Sequence, residues 1–169
     1  DLVCTANGAA GIDLSEVELE ELLLPVCRTL SQEIVRNGEG TAHVIEVHVR
    51  GVTDRELSQR IGRHVVNSPL VKTAVYGNDP NVGRILAAAG DALDTWDTGH
   101  TVDVEALTVS IAGREVYRDG AFRLDGTVEE ELAELLQRGA MDPQRAGYPQ
   151  DVPNVTIQLS FGSSGEETV

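Results

Sequence analysis

The chain has 169 residues, 41% of them hydrophobic, which is enough for the core of one compact domain or of one domain with an attached piece. Thirteen Lys and Arg against 28 Asp and Glu give a formal charge of -15, which argues against binding to nucleic acid or to anionic membranes. No stretch approaches the roughly 20 apolar residues that span a bilayer, and no signal peptide opens the chain, so we expect a soluble, cytoplasmic protein.

The first residues and the cysteines give two further expectations. The chain begins without Met, and residues 1–8 have the pattern of a strand before a glycine turn, so we expect a fragment of a longer protein. Cys4 and Cys27 lie in apolar surroundings without CxxC spacing. We therefore expect buried thiols rather than metal ligands or a disulfide.

A long amphipathic helix is predicted next. Ser15 with Glu18 forms a capping box, and apolar residues recur at helical spacing over residues 19–34. Pro25 lies inside this segment and should kink or break the helix. Asn-Gly at residues 37–38 should supply the left-handed backbone that ends it.

Strands and helices then alternate. Residues 45–50 alternate apolar and polar side chains as a half-buried strand does, and Thr53 with Glu56 predicts a capped helix that ends near Asn67. Residues 70–76 fit either a helix or a strand. Asp79-Pro80 is a good cap and first turn for a helix over residues 85–93.

The rest of the chain repeats this mixture of elements. Residues 107–117 predict a hairpin, and Thr127 with Glu130 predicts a third capped helix that stops at Gly139. A polar loop over residues 141–153 leads to a one-sided strand at residues 155–161, and a turn or mobile end follows at residues 162–165. The mixture indicates an α/β fold built from α+β layers.

Common catalytic and cofactor motifs are absent, since the chain has no GxGxxG, P-loop, HExxH or GxSxG sequence. The four histidines are not spaced for metal binding, so we expect structural or solvated roles for them, and we predict no metal site and no cofactor. A chain that has an ordinary core but no nucleophile paired with a base is either not an enzyme or only part of an enzyme.

Two segments are candidates for function. Glu39 lies between Gly38 and Gly40, where flexible backbone can bring a carboxylate close to a ligand, although most carboxylates in turns are merely solvated. The second segment, residues 68–85, holds the only lysine, Lys72, and a loop rich in Asn, Asp, Pro and Gly. A helix beginning at Pro80 could bind a substrate carboxylate, or the loop could be a capped turn that bonds only itself.

These segments resemble a known family. Residues 67–74 read NSPLVKTA and residues 77–85 read GNDPNVGRI, and both closely resemble the signature of the ornithine acetyltransferases, the bifunctional glutamate N-acetyltransferases of arginine biosynthesis. Upstream, GEGTAH at residues 38–43 resembles the family's Gly-Glu-Gly block. The resemblance covers residues 1–93 and implies a partial self-cleaving, DmpA/ArgJ-like fold. Residues 1–40 would end the domain that bears the nucleophile, and residues 41–169 would form the C-terminal α/β domain of the β chain.

The family resemblance implies a two-step covalent mechanism. A threonine at the new N-terminus of the cleaved precursor takes the acetyl group from N-acetylornithine and passes it to glutamate. That threonine is expected upstream of Asp1, so this chain would hold no catalytic residue, and Thr5 is not the nucleophile. The family's C-terminal substrate-contacting segment is also expected to be missing here.

Glu39 is the site residue that carries over, because it matches the family's substrate-binding glutamate and would receive an ammonium group of the amino-acid substrate. The resemblance also implies a partner α chain from the same precursor in an α2β2 heterotetramer, with acetyl-CoA as a second donor if the enzyme is bifunctional. His43 stands where lysine is usual and Val82 where tryptophan is common. The alternatives left open are a non-catalytic α/β binding or assembly domain and a self-cleaving hydrolase of related fold.

Overall fold

The computed structural model describes residues 3–5, 7–94, 102–142, 144, 152–162 and the backbone of 167–168. Within it the chain forms two compact units, Asp1–Glu39 and Gly40–Val169. The predictions for residues 145–151 and 163–165 lie outside the described residues.

The first unit is built around helix α1, Glu16–Arg36. The predicted capping box is confirmed, because Ser15 Oγ accepts a hydrogen bond from the Glu18 amide at 3.3 Å and Glu18 Oε2 accepts one from the Ser15 amide at 2.9 Å. The same carboxylate accepts a bond from the Ser15 hydroxyl, and these bonds lower the pKa of Glu18. The break expected at Pro25 does not occur, since the helix continues through it. The missing proline amide removes only one of the helix's many backbone bonds.

Two other expectations for this unit are wrong. Residues 3–5 and 7–8 form no strand, and no strand lies among the unit's described residues to pair with them. The thiols are not buried either, because Cys4 is exposed and Cys27 is only half-buried. No residue of α1 is buried, so its apolar pattern does not form a core within this unit.

The second unit is a six-stranded mixed sheet with four helices among its described residues. Its elements in chain order are β1 Ile45–Arg50, α2 Arg55–Asn67, α3 Pro69–Tyr76, α4 Val82–Asp94, β2 Leu107–Ile111, β3 Arg114–Arg118, β4 Ala121–Phe122, α5 Gly126–Arg138, β5 Val155–Phe161 and β6 Glu167–Thr168. The strand order is β4-β3-β2-β5-β1-β6, with β1 and β5 parallel and the other neighbours antiparallel.

One face of the sheet carries the core. Alternate residues of β5 and β2 are buried, and they pack with buried residues of α2 to α5 in a single apolar cluster. The residues between them are half-buried, which is the expected pattern for a sheet covered by helices on one face. The predicted strands at 45–50 and 155–161 and the hairpin are confirmed. Ala112 and Gly113 have φ of 48° and 79°, as a two-residue type I′ turn requires.

Two helix caps differ from the sequence prediction. Asp54, not Thr53, caps α2, because its Oδ1 accepts bonds from the amides of Glu56 at 2.8 Å and Leu57 at 3.3 Å. Asp125, not Thr127, caps α5 by accepting a bond from the Val128 amide at 2.9 Å. The predicted helix ends at residues 67 and 139 are confirmed. The ambiguous segment at 70–76 is helical, within α3.

Candidate substrate-binding site

The turn that holds Glu39 follows the end of α1. The amide of Asn37 bonds to Glu33 O at 2.9 Å, and Asn37 Nδ2 donates to the same oxygen at 2.7 Å. Asn37 ends the helix as predicted, but with φ of -98°, so the left-handed backbone expected at residues 37–38 is absent. The positive φ of this turn, 74°, lies at Gly40. Glu39 itself is exposed, which leaves its carboxylate accessible to a ligand.

The loop of residues 77–81 is held by its own backbone. The amides of Asn78 and Asp79 bond to Val75 O at 3.0 Å and Ala74 O at 2.9 Å, which closes the end of α3. Asn78 has a left-handed φ of 56°, a conformation that asparagine adopts more readily than most residues. Asn78 therefore lies in the turn that ends α3.

The polar side chains of this loop bond to one another and to the next helix. Asn81 Nδ2 donates to Asp79 Oδ2 at 3.1 Å, and Asn81 Oδ1 accepts a bond from the Arg84 amide at 3.2 Å. Asn81 thus caps α4, which begins at Val82 and not at Pro80 as predicted. This geometry agrees with the capped-turn interpretation of the loop, because Asn81 occupies one of the amides that a substrate carboxylate would need.

The side chain of Arg84 joins α3 and α4, the two helices that flank the loop. Its Nη1 donates to Leu70 O at 3.0 Å and to Thr73 Oγ1 at 3.1 Å, both on α3. A guanidinium can make several directed bonds at once, which suits it to joining two helices. The loop between α3 and α4 is therefore fixed at both ends, a connection that sequence reasoning missed because it depends on tertiary contact.

Two buried polar atoms near the loop have no partner. His43 is 4% exposed, and its Nε2 lies 3.0 Å from Leu136 O, so this nitrogen is the donor and Nδ1 is left as the unpaired atom. The His43 ring lies 5.6 Å from the ring of Tyr76, at the end of α3. The side-chain oxygen of Asn78 is also buried without a partner. His43 is thus buried and not solvated.

The other residues singled out from the sequence lie in different surroundings. Glu39 ends the first unit, whereas the loop belongs to the second. Val82 is 1% exposed and belongs to the core of the second unit. Lys72 on α3 and Thr5 near the start are both exposed.

No group of three or more His, Cys, Asp or Glu residues that could hold a metal ion occurs in the described part of the chain. Among the same residues, no helix has the length and apolar composition that crossing a membrane requires.

The mixed sheet with its helices and the two sequence blocks together define an α/β protein with an ArgJ-like fold. A crystal structure of the arginine biosynthesis bifunctional protein ArgJ from Bacillus halodurans superposes with a TM-score of 0.69 at 27% identity, covering 91% of this chain and 65% of that one. The family model of ArgJ matches residues 1–167. The chain belongs to the ArgJ family.

Curated relatives agree with this assignment. A glutamate N-acetyltransferase of Methanocaldococcus jannaschii is 48% identical over 140 residues, which are 79% of this chain and 33% of the relative. An arginine biosynthesis bifunctional protein ArgJ of Thermosynechococcus vestitus is 37% identical over 145 residues, which are 86% of this chain and 33% of the relative. The chain thus spans about a third of the length of these relatives.

Proposed function

We propose that this chain forms part of an acetyltransferase of arginine biosynthesis, which moves an acetyl group from N-acetylornithine to glutamate. The observation that carries the proposal is the family match over residues 1–167, with the Gly-Glu-Gly turn and the 77–85 loop in their expected order. The names of the relatives, glutamate N-acetyltransferase and bifunctional ArgJ, support the same reaction class.

The proposed reaction has two covalent steps. A threonine hydroxyl attacks the acetyl carbonyl of N-acetylornithine, the amide bond breaks, and ornithine leaves with a proton on its amine. The glutamate amine then attacks the acetyl-threonine ester, which forms N-acetylglutamate and restores the hydroxyl. The threonine belongs to the part of the enzyme N-terminal to this chain, and this chain supplies a wall of the substrate pocket.

Glu39 would bind an ammonium group of the amino-acid substrate. Its side chain is exposed at a turn with a flexible glycine on each side, so a ligand can reach the carboxylate. A carboxylate that accepts a hydrogen bond from an ammonium group makes a charge-assisted bond, which is stronger than a neutral one. This contact would favour substrates that carry a positive charge.

Replacing Glu39 by Gln in the complete enzyme is expected to raise KM for ornithine or glutamate about tenfold, since a bond to a charged group contributes on the order of 1.5 kcal/mol. The substitution keeps the size of the side chain and removes its charge. Steady-state kinetics with each acceptor measures the change. Glu20→Gln, at another exposed glutamate of the first unit, is the matched control and should leave KM unchanged. Unchanged kinetics for Glu39→Gln would exclude the proposed contact.

The proposed assembly is a self-cleaved α2β2 heterotetramer in the cytoplasm, with this chain in the β subunit and with acetyl-CoA as a second donor if the enzyme is bifunctional. We expect intact-mass measurements on the complete protein to show two chains, one of which begins with threonine. Incubation with N-acetylornithine should add one acetyl group to that chain alone, and acetyl-CoA should do the same if it is a donor. An uncleaved protein that never gains an acetyl group would contradict the covalent mechanism.

A further inference from the structure

A cavity of about 590 Å³ lies in the second unit beside α2, α4 and the junction of α2 with α3. It shares no lining residue with the turn of Glu39 or with the 77–85 loop. Its charged and polar lining includes Glu56, Arg60, Arg63, His64, Asn67 and Asp91. The cavity therefore offers a set of side chains that the proposed substrate site does not use.

The side chains of this cavity that could contact a ligand include both acidic and basic groups. Arg63, His64 and Glu56 have no ion pair and no side-chain hydrogen bond among the described residues, whereas Arg60 and Asp91 each have an interaction of their own. A guanidinium, an imidazole and a carboxylate thus remain free to bind a ligand.

The spacing of these groups explains why they do not neutralise one another. Glu56 and Arg63 are seven residues apart on α2, which places them on the same face, about 10 Å apart along the helix axis. Direct ion pairs on a helix form between residues three or four apart. A ligand with a negative group at one end and a positive group at the other can bind both side chains.

We propose that this cavity binds a zwitterionic amino acid, whose carboxylate contacts Arg63 and whose ammonium group contacts Glu56. The planar guanidinium suits a carboxylate, to which it can donate two parallel hydrogen bonds. His64, next to Arg63 in the last turn of α2, lies at the carboxylate end. A simple anion would leave Glu56 unpaired and would be repelled by it, and a simple cation would leave Arg63 unpaired.

The test uses 5-aminopentanoate, which carries one charge at each end of a short carbon chain. Binding is measured by calorimetry in the complete protein carrying Glu39→Gln, so that the proposed acceptor pocket is weakened and the response to Arg63→Gln reports on this cavity. We expect saturable binding that Arg63→Gln and Glu56→Gln each weaken about fivefold, the scale of one exposed charge contact. Both side chains are exposed, so neither substitution should disturb folding.

Two controls test whether both charges of the ligand are recognised at this cavity. Arg114→Gln, at an exposed arginine on β3, should leave binding unchanged, and pentanoate and pentylamine should each bind more weakly than the zwitterion. Absence of binding, equal binding of pentanoate, or binding that Arg63→Gln does not weaken would overturn the proposal. None of these outcomes depends on whether Glu39 binds the acetyl acceptor.

Discussion

Replacing Gly51 by Ala is expected to destabilise the second unit by about 3 kcal/mol or more. Gly51 directly follows β1 and has φ of 76°, a conformation that strains any residue with a Cβ atom. The added methyl group would also overlap the backbone carbonyl of Phe161, at the end of the parallel partner strand β5. Because backbone atoms cannot rotate away as a side chain can, β1 and β5 would have to separate locally.

The measurement is the free energy of unfolding from denaturant titration, with Gly113→Ala as the matched control. Gly113 has a similar φ of 79°, but an added Cβ would meet no atom within 4 Å. Its substitution should therefore cost only the backbone strain, about 1 kcal/mol. Equal losses for the two variants would show that the Phe161 overlap does not matter.

Much of the fold was predictable because apolar periodicity identifies elements without knowledge of tertiary contacts. The strands at residues 45–50 and 155–161 were recognised from alternation alone, and α1 from its capping box. The caps of α2 and α5 were missed, since both Thr53 and Thr127 fit the Ser/Thr-x-x-Glu pattern. Neighbouring aspartates cap both helices instead, and aspartate is preferred to threonine at the N-cap position.

Burial was less predictable than secondary structure. Apolar spacing along α1 shows which positions could form a buried face, but burial requires a second element to cover that face. No residue of α1 is buried, and Cys27 is half-buried. His43 illustrates the opposite case, because a histidine without any pattern is buried through contacts with α5 and Tyr76.

The two candidate segments were singled out from the sequence, but their hydrogen bonds were not predicted. The Gly-Glu-Gly turn and the 77–85 segment stand out by composition and by resemblance. The bonds from the Arg84 side chain to α3 depend on how α3 and α4 pack together, whereas the cap by Asn81 is a local bond to the Arg84 amide. Asp79 and Asn81 are both favourable cap residues by local sequence, so the predicted start of α4 at Pro80 lies two residues before the observed start at Val82.

The second large loss of stability is expected for Ile157→Ala, which removes packing beneath the 77–85 loop. Ile157 is fully buried in β5, and its side chain borders a void of about 10 Å³ that Asp79, Pro80 and Asn81 also line. Such a void is at the lower limit for holding one water molecule, so the side chains beneath the loop are almost completely packed. Removing the larger part of this side chain should cost about 2–5 kcal/mol and leave a cavity under the loop.

The measurement again begins with the free energy of unfolding, and Ile157→Val should lose only about 0.5–1.5 kcal/mol. Leu132→Ala is the matched control for function, because Leu132 is also fully buried but does not line this void. Under conditions where both variants of the complete enzyme remain folded, Ile157→Ala should raise KM more than Leu132→Ala does. Equal KM values at equal loss of stability would mean that the packing under the loop does not position the substrate site.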